Sequence, residues 1–89
     1  MNKDAILNHL TTHFEPTYIE VIDESHLHHG HGGTDHTENT HFHVIIVSKM
    51  FTNESLIKRH RRINTALKNA FKHQLHALKI TAKTPSEWK

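Results

Sequence analysis

The run HFHVIIVS, from His41 to Ser48, does most to narrow what this chain can fold into. Its β-branched side chains favour an extended backbone. Strand alternation puts Phe42, Val44 and Ile46 on one face and Ile45 and Val47 on the other. A strand apolar on both faces belongs at the centre of a sheet or under cover on both sides. It therefore needs neighbours, and the sequence offers two. TYIEVIDES reads as a strand from about Tyr18 to Glu24, with Ile19 and Val21 alternating with Glu20. LHALKITAKT places His76, Leu78, Ile80 and Ala82 on one face against Leu75, Ala77, Lys79 and Thr81, so His76 opens a buried row.

Two helices can cover that sheet. Asn2 or Asp4 can cap a first helix in which Ile6, Leu7, Leu10 and Phe14 form one stripe, ended by Pro16. NESLIKRHRRINTALKNAFKH repeats apolar positions at steps of three and four through Leu56, His60, Ile63, Leu67, Ala70 and Phe71, predicting a helix capped by Asn53 or Ser55. This second helix is long enough for the right-handed crossover that joins parallel strands. TPSEW carries a capping box, with Thr84 as cap, Pro85 at the first helical position and Glu87 reaching back, and should tuck Trp88 against the sheet. The order is α-β-β-α-β with a short C-terminal helical turn. It predicts a two-layer α+β fold with a three-stranded sheet, and 89 residues suffice for a single domain of that kind.

Composition limits the chemistry. There is no cysteine, so neither a disulfide nor a protein-supplied thiolate is possible, and imidazole and carboxylate are the strong metal ligands left. The formal charge of +2 counts all twelve histidines as neutral. Because imidazole titrates near pH 6.5, affinity for polyanions rises on acidification whatever the function. MNKDAILNHL has too few apolar residues for a signal-peptide core, and no stretch approaches a membrane span, so a soluble cytoplasmic protein is expected. No nucleophile, phosphate loop or carboxylate dyad converges by spacing, which argues against an enzyme.

The histidines divide by context. His9 and His13 stand i, i+4 on the first helix without a third partner, as surface histidines do. His73 near a helix end complements the dipole. His60, in line with Ile63 and Leu67, is expected to be half-buried and to orient the helix through a hydrogen bond. The loop of about residues 26–40 holds His26, His28, His29, His31 and His36 with all three glycines, and such His-rich tracts favour zinc, copper, nickel or iron. Its GHGG, Gly30 to Gly33, matches the G-x-x-G clamp of KH domains, but that motif joins two helices and this one lies between strands. The basic cluster Lys58, Arg59, Arg61 and Arg62 could contact phosphate, although on a helix its members fan out over several faces.

IEVIDES, a His-rich loop, THFHVIIVS, F-x-x-x-S with KRHR, HALKI and TPSEW, in this order from about Leu7 to Trp88, resemble the BolA-like family. The resemblance implies a class II KH-like α-β-β-α-β fold that lacks the nucleic-acid clamp. It also implies partnership with a monothiol glutaredoxin through a bridging 2Fe-2S cluster. The family's ligand positions fall on His76, from HAL, and on a loop histidine that aligns best with His28, with His26, His29 and His31 as possible substitutes. Histidine pairs on one iron of such a cluster are known chemistry, and glutaredoxin and glutathione thiols would supply the other. The free protein is then expected to be a monomer without cofactor. Asn53 stands where the family usually has glycine, and asparagine tolerates a left-handed backbone better than other side chains do.

Three functions therefore stay open: a partner of monothiol glutaredoxins in iron-sulfur assembly, trafficking or iron signalling; a DNA-binding transcriptional regulator using KRHRR, a role in which BolA-like proteins are also implicated; and a stand-alone divalent-metal binder using the loop.

Overall fold

A computed structural model describes residues 3–24, 41–70 and 77–88. The described elements run α1 (Lys3–Phe14), β1 (Tyr18–Asp23), β2 (His41–Val47), a 3-10 turn (Lys49–Phe51), α2 (Leu56–Ala70) and β3 (Ala77–Lys83). β2 is the central strand. It pairs antiparallel with β1, Val21 against Val44, and parallel with β3, Val44 against Ile80. The parallel pair requires the crossover that α2 provides. The expected α+β order is thus observed.

Register decides which residues face the helices. Ile19 and Val21 of β1, Phe42, Val44 and Ile46 of β2, and Leu78, Ile80 and Ala82 of β3 share one face. They pack with Ile6, Leu10 and Phe14 of α1 and with Ile63, Ala66 and Leu67 of α2. Val47 faces the other way yet is 1 % exposed. It lies between Tyr18 and Lys83 in register, and Trp88 stacks on Tyr18 at a ring separation of 5.3 Å, so the closing turn does bring Trp88 onto the sheet.

The segment between β2 and α2 is short and closely held. Ser48, 1 % exposed, donates through its hydroxyl to the Phe14 carbonyl, accepts from the Met50 N–H and donates its own N–H to the Lys83 carbonyl. One residue thereby joins the end of α1, the end of β2 and the end of β3. Phe51 is fully buried against Phe14, with ring centroids 5.3 Å apart. Asn53 adopts φ 66°, the left-handed conformation expected of it, and Ser55 is the cap of α2, its Oγ accepting from the Lys58 N–H.

Two expectations need correction. Asp4 lies inside the first turn of α1 rather than capping it. Leu56, placed by its period in the buried stripe of α2, is 63 % exposed. The stripe begins instead at Arg59, and Leu56 overlooks β3, the edge strand, beyond which no described strand continues the sheet. Asn2, Phe71, His73 and Leu75 lie outside the described residues, as does the side chain of Ala70.

The left-handed turn at Asn53 gives a direct test of this local structure. Asn53→Gly should keep or raise the urea midpoint, whereas the β-branched Asn53→Val should lower stability by about 1–2 kcal/mol.

Candidate functional site

The described residues that flank the two histidine-bearing segments lie at one end of the sheet. β1 finishes at Asp23, the Glu24 N–H donates to the His41 carbonyl at 2.8 Å, and His41 pairs in register with Ala77 at the start of β3. Glu24 and His41 flank the His-rich loop, and Ala77 follows His76 directly. His26, His28, His29, His31 and His76 themselves lie outside the described residues, as does GHGG. Among the described residues, no group of three or more histidine, aspartate or glutamate side chains is arranged to hold a metal ion.

On the face of the sheet away from the helices, His43 stands beside this end. Its Nε2 is 3.0 Å from Thr81 Oγ1, and its Nδ1 is 3.9 Å from Glu24 Oε2. This half-buried imidazole links β2 to β3 and approaches Glu24, the residue that follows β1. His9 is also engaged: its Nε2–H donates to the Ala66 carbonyl at 3.1 Å, and its ring stacks on His13 with centroids 5.8 Å apart. It clips α1 to α2, so one of the i, i+4 pair has a structural task.

The four basic residues of the KRHRR cluster separate into distinct roles. Arg59 is only 5 % exposed. Its Nε donates to the Glu54 carbonyl at 2.9 Å and its Nη1 to the Ala82 carbonyl at 3.0 Å, while Nη1 and Nη2 form a bidentate pair with Glu87 at 2.7 and 3.2 Å. It cannot reach a phosphate from that position, and it supplies the orienting hydrogen bonds that were expected of His60. His60 is half-buried beside it. Arg62 donates to the Met50 carbonyl and to Glu54 Oε1, with its guanidinium 5.4 Å from the centre of the Phe14 ring. Lys58 and Arg61 are exposed. With Arg62 and with His13 of α1 they line a groove of about 310 Å³. His13 as part of this basic groove was not legible in the sequence, because the contact depends on how two helices cross.

Glu87 completes the capping box. Its Oε1 accepts from the Thr84 N–H at 2.9 Å, and its own N–H lies 3.4 Å from Thr84 Oγ1. The Arg59 hydrogen bond, reinforced by the Thr84 N–H, holds the Glu87 carboxyl down at about 2 from an ordinary value of 4.5. A carboxyl lowered on folding adds stability above pH 4.5 and loses that contribution as the pH falls towards about 2. Replacing Glu87 by Gln should therefore flatten the acid limb of a stability profile between those values, as read by thermal melts across pH. Arg59→Met keeps the aliphatic stem but strands buried carbonyls, and urea unfolding should show a loss of about 2–3 kcal/mol.

The family model described as BolA-like protein matches residues 10–87. The chain is 40% identical over 76 residues to the DNA-binding transcriptional regulator BolA of Haemophilus influenzae, covering 85% of this chain and 70% of that protein. Among solved structures, BolA1 from Arabidopsis thaliana superposes with a TM-score of 0.86 at 37% identity, covering 100% of this chain and 97% of that one. The BolA domain of SufE1 from the same plant gives 0.82 at 42% identity, with 96% and 93% covered.

Proposed function

This chain belongs to the BolA-like protein family, and from that premise we propose that it is a binding protein that partners a monothiol glutaredoxin. In this role it contributes histidine ligands to a bridging 2Fe-2S cluster in iron-sulfur cluster assembly, trafficking or iron signalling. The observation that carries this reading is the convergence of Glu24, His41 and Ala77 at one end of the sheet. Chain connectivity leaves His76 one residue from Ala77, and the loop bearing His28 is anchored at Glu24 and His41.

The donor set fits half of such a site. The chain has imidazoles and no thiol, so it can offer ligands to one iron while glutaredoxin and glutathione thiols serve the other. A bound cluster would supply one-electron chemistry or transferable iron and sulfide, and histidine ligation would raise its potential relative to all-thiolate ligation. His76 and His28 are the proposed ligands, with His26, His29 or His31 able to take the loop position. His43 and the His41 to Ala77 pairing fix the sheet end from which those segments leave. Reconstitution with a monothiol glutaredoxin, glutathione, iron and sulfide should give a visible circular dichroism spectrum different from that of the glutaredoxin homodimer. His76→Ala should return it to the homodimer form. A wild-type spectrum already identical to the homodimer's counts against the reading.

A second reading, nucleic-acid binding, is favoured by one specific observation: Lys58, Arg61, Arg62 and His13 face the same groove. The name of the Haemophilus influenzae relative points the same way. Binding of this kind should survive at about pH 8, where histidine is neutral, and weaken as salt rises. Lys58→Ala with Arg61→Ala removes exposed cations without touching the buried Arg59 network. The pair should lower affinity for duplex DNA and reduce the salt slope by about 2, and an unchanged slope in a filter-binding titration would exclude this groove.

A further inference from the structure

Among the described residues β3 is an edge strand, and its outer edge is only partly closed. The Ser48 N–H donates to the Lys83 carbonyl, so the backbone of Lys83, and by alternation that of Thr81 and Lys79, faces β2. The backbone groups of Leu78, Ile80 and Ala82 then point away from the sheet. Arg59 takes the Ala82 carbonyl at 3.0 Å. No described residue takes those of Leu78 or Ile80.

Beside this edge runs a groove of about 680 Å³, between the first turns of α2 and β3. Leu56, 63 % exposed, and His60 line it from α2, and Ile80 and Ala82 line it from β3. Leu56 is exposed at a position where helical periodicity asks for burial, because the sheet stops one strand short of it. On the opposite face of β3, Lys79 is exposed and Lys83 half-exposed, and among the described residues neither meets a carboxylate.

We propose that this edge binds an extended segment of a partner protein in which apolar and acidic residues alternate. Such a segment would add as a fourth strand on Leu78 and Ile80. Alternation sends one set of its side chains into the groove under Leu56 and the other alongside Lys79 and Lys83. Main-chain hydrogen bonds supply affinity, and the two faces supply selectivity. A second copy of this chain pairing through the same edge is disfavoured, because it would bring the Lys79 and Lys83 of each copy together. The proposal does not depend on the cluster reading: the edge lies on β3 itself, and Arg59 closes its far end.

The test is a titration of isotope-labelled protein, followed by amide chemical shifts, with a blocked peptide of alternating glutamate and valine. Saturable shifts confined to Leu78 through Lys83, Leu56 and His60 are expected. Lys79→Glu with Lys83→Glu should weaken binding by about tenfold or more and restore it for a peptide of alternating lysine and valine. A peptide N-methylated at alternate residues along its protein-facing edge should not bind. The absence of saturable shifts overturns the proposal. So does equal binding of the N-methylated peptide, or self-association of the free protein through β3 with concentration.

Discussion

The buried guanidinium of Arg59 is the interaction on which the arrangement of this domain depends. A charge at 5 % exposure is tolerable only when each of its nitrogens is hydrogen-bonded. Arg59 meets that condition by joining the turn before α2, through the Glu54 carbonyl, to the end of β3, through the Ala82 carbonyl, and to the C-terminal turn that follows it, through Glu87. Those contacts fix the rotation of α2 about its own axis. Ile63, Ala66 and Leu67 then turn onto the sheet, while Leu56 is carried over its edge. The same bonds keep Glu87 ionised and in place to cap Thr84, so the closing turn and the stack of Trp88 on Tyr18 follow from the helix docking.

Ser48 reinforces this end of the molecule, with bonds to Phe14, Met50 and Lys83. The fold is therefore tied most tightly where β2 and β3 finish. The opposite end, where β1 finishes and β2 and β3 begin, is held by the sheet ladder and by His43 between Thr81 and Glu24. Under the proposed function, that is the end from which the ligand-bearing segments depart. Structural and chemical demands are thus placed at opposite ends of β3.

What could be read from the sequence was what local rules govern. The doubly apolar run of β2 foretold a central strand, the length of α2 foretold the parallel crossover, and TPSEW foretold its capping box, because each depends on neighbouring residues and on backbone geometry. The positive φ at Asn53 was legible for the same reason. Leu56 and Arg59 were not. Periodicity identifies the stripe of a helix but not where the sheet beneath it ends, and a buried arginine in KRHRR has the same charge as its exposed neighbours. Ser48 ended the strand run and Phe51 stood in the F-x-x-x-S motif, but the bond and the ring contact that join them to α1 depend on long-range packing. The proposed pairing of His28 with His76 rests on family resemblance, since a spacing so long implies proximity only once the strand order is known.

The division within the basic cluster changes how its chemistry can be probed. Lys58 and Arg61 project into solvent, so their removal alters surface potential and little else, whereas Arg62 shares its guanidinium between Glu54, the Met50 carbonyl and the Phe14 ring. A substitution at Arg59 strands the Ala82 carbonyl of β3 and loosens the turn that carries Glu87. Any loss of nucleic-acid or partner binding that follows from it reports the docking of α2. Only the exposed members of the cluster separate electrostatic recognition from folding, and the charge of a residue in this helix says nothing of its role until its direction relative to β3 is known.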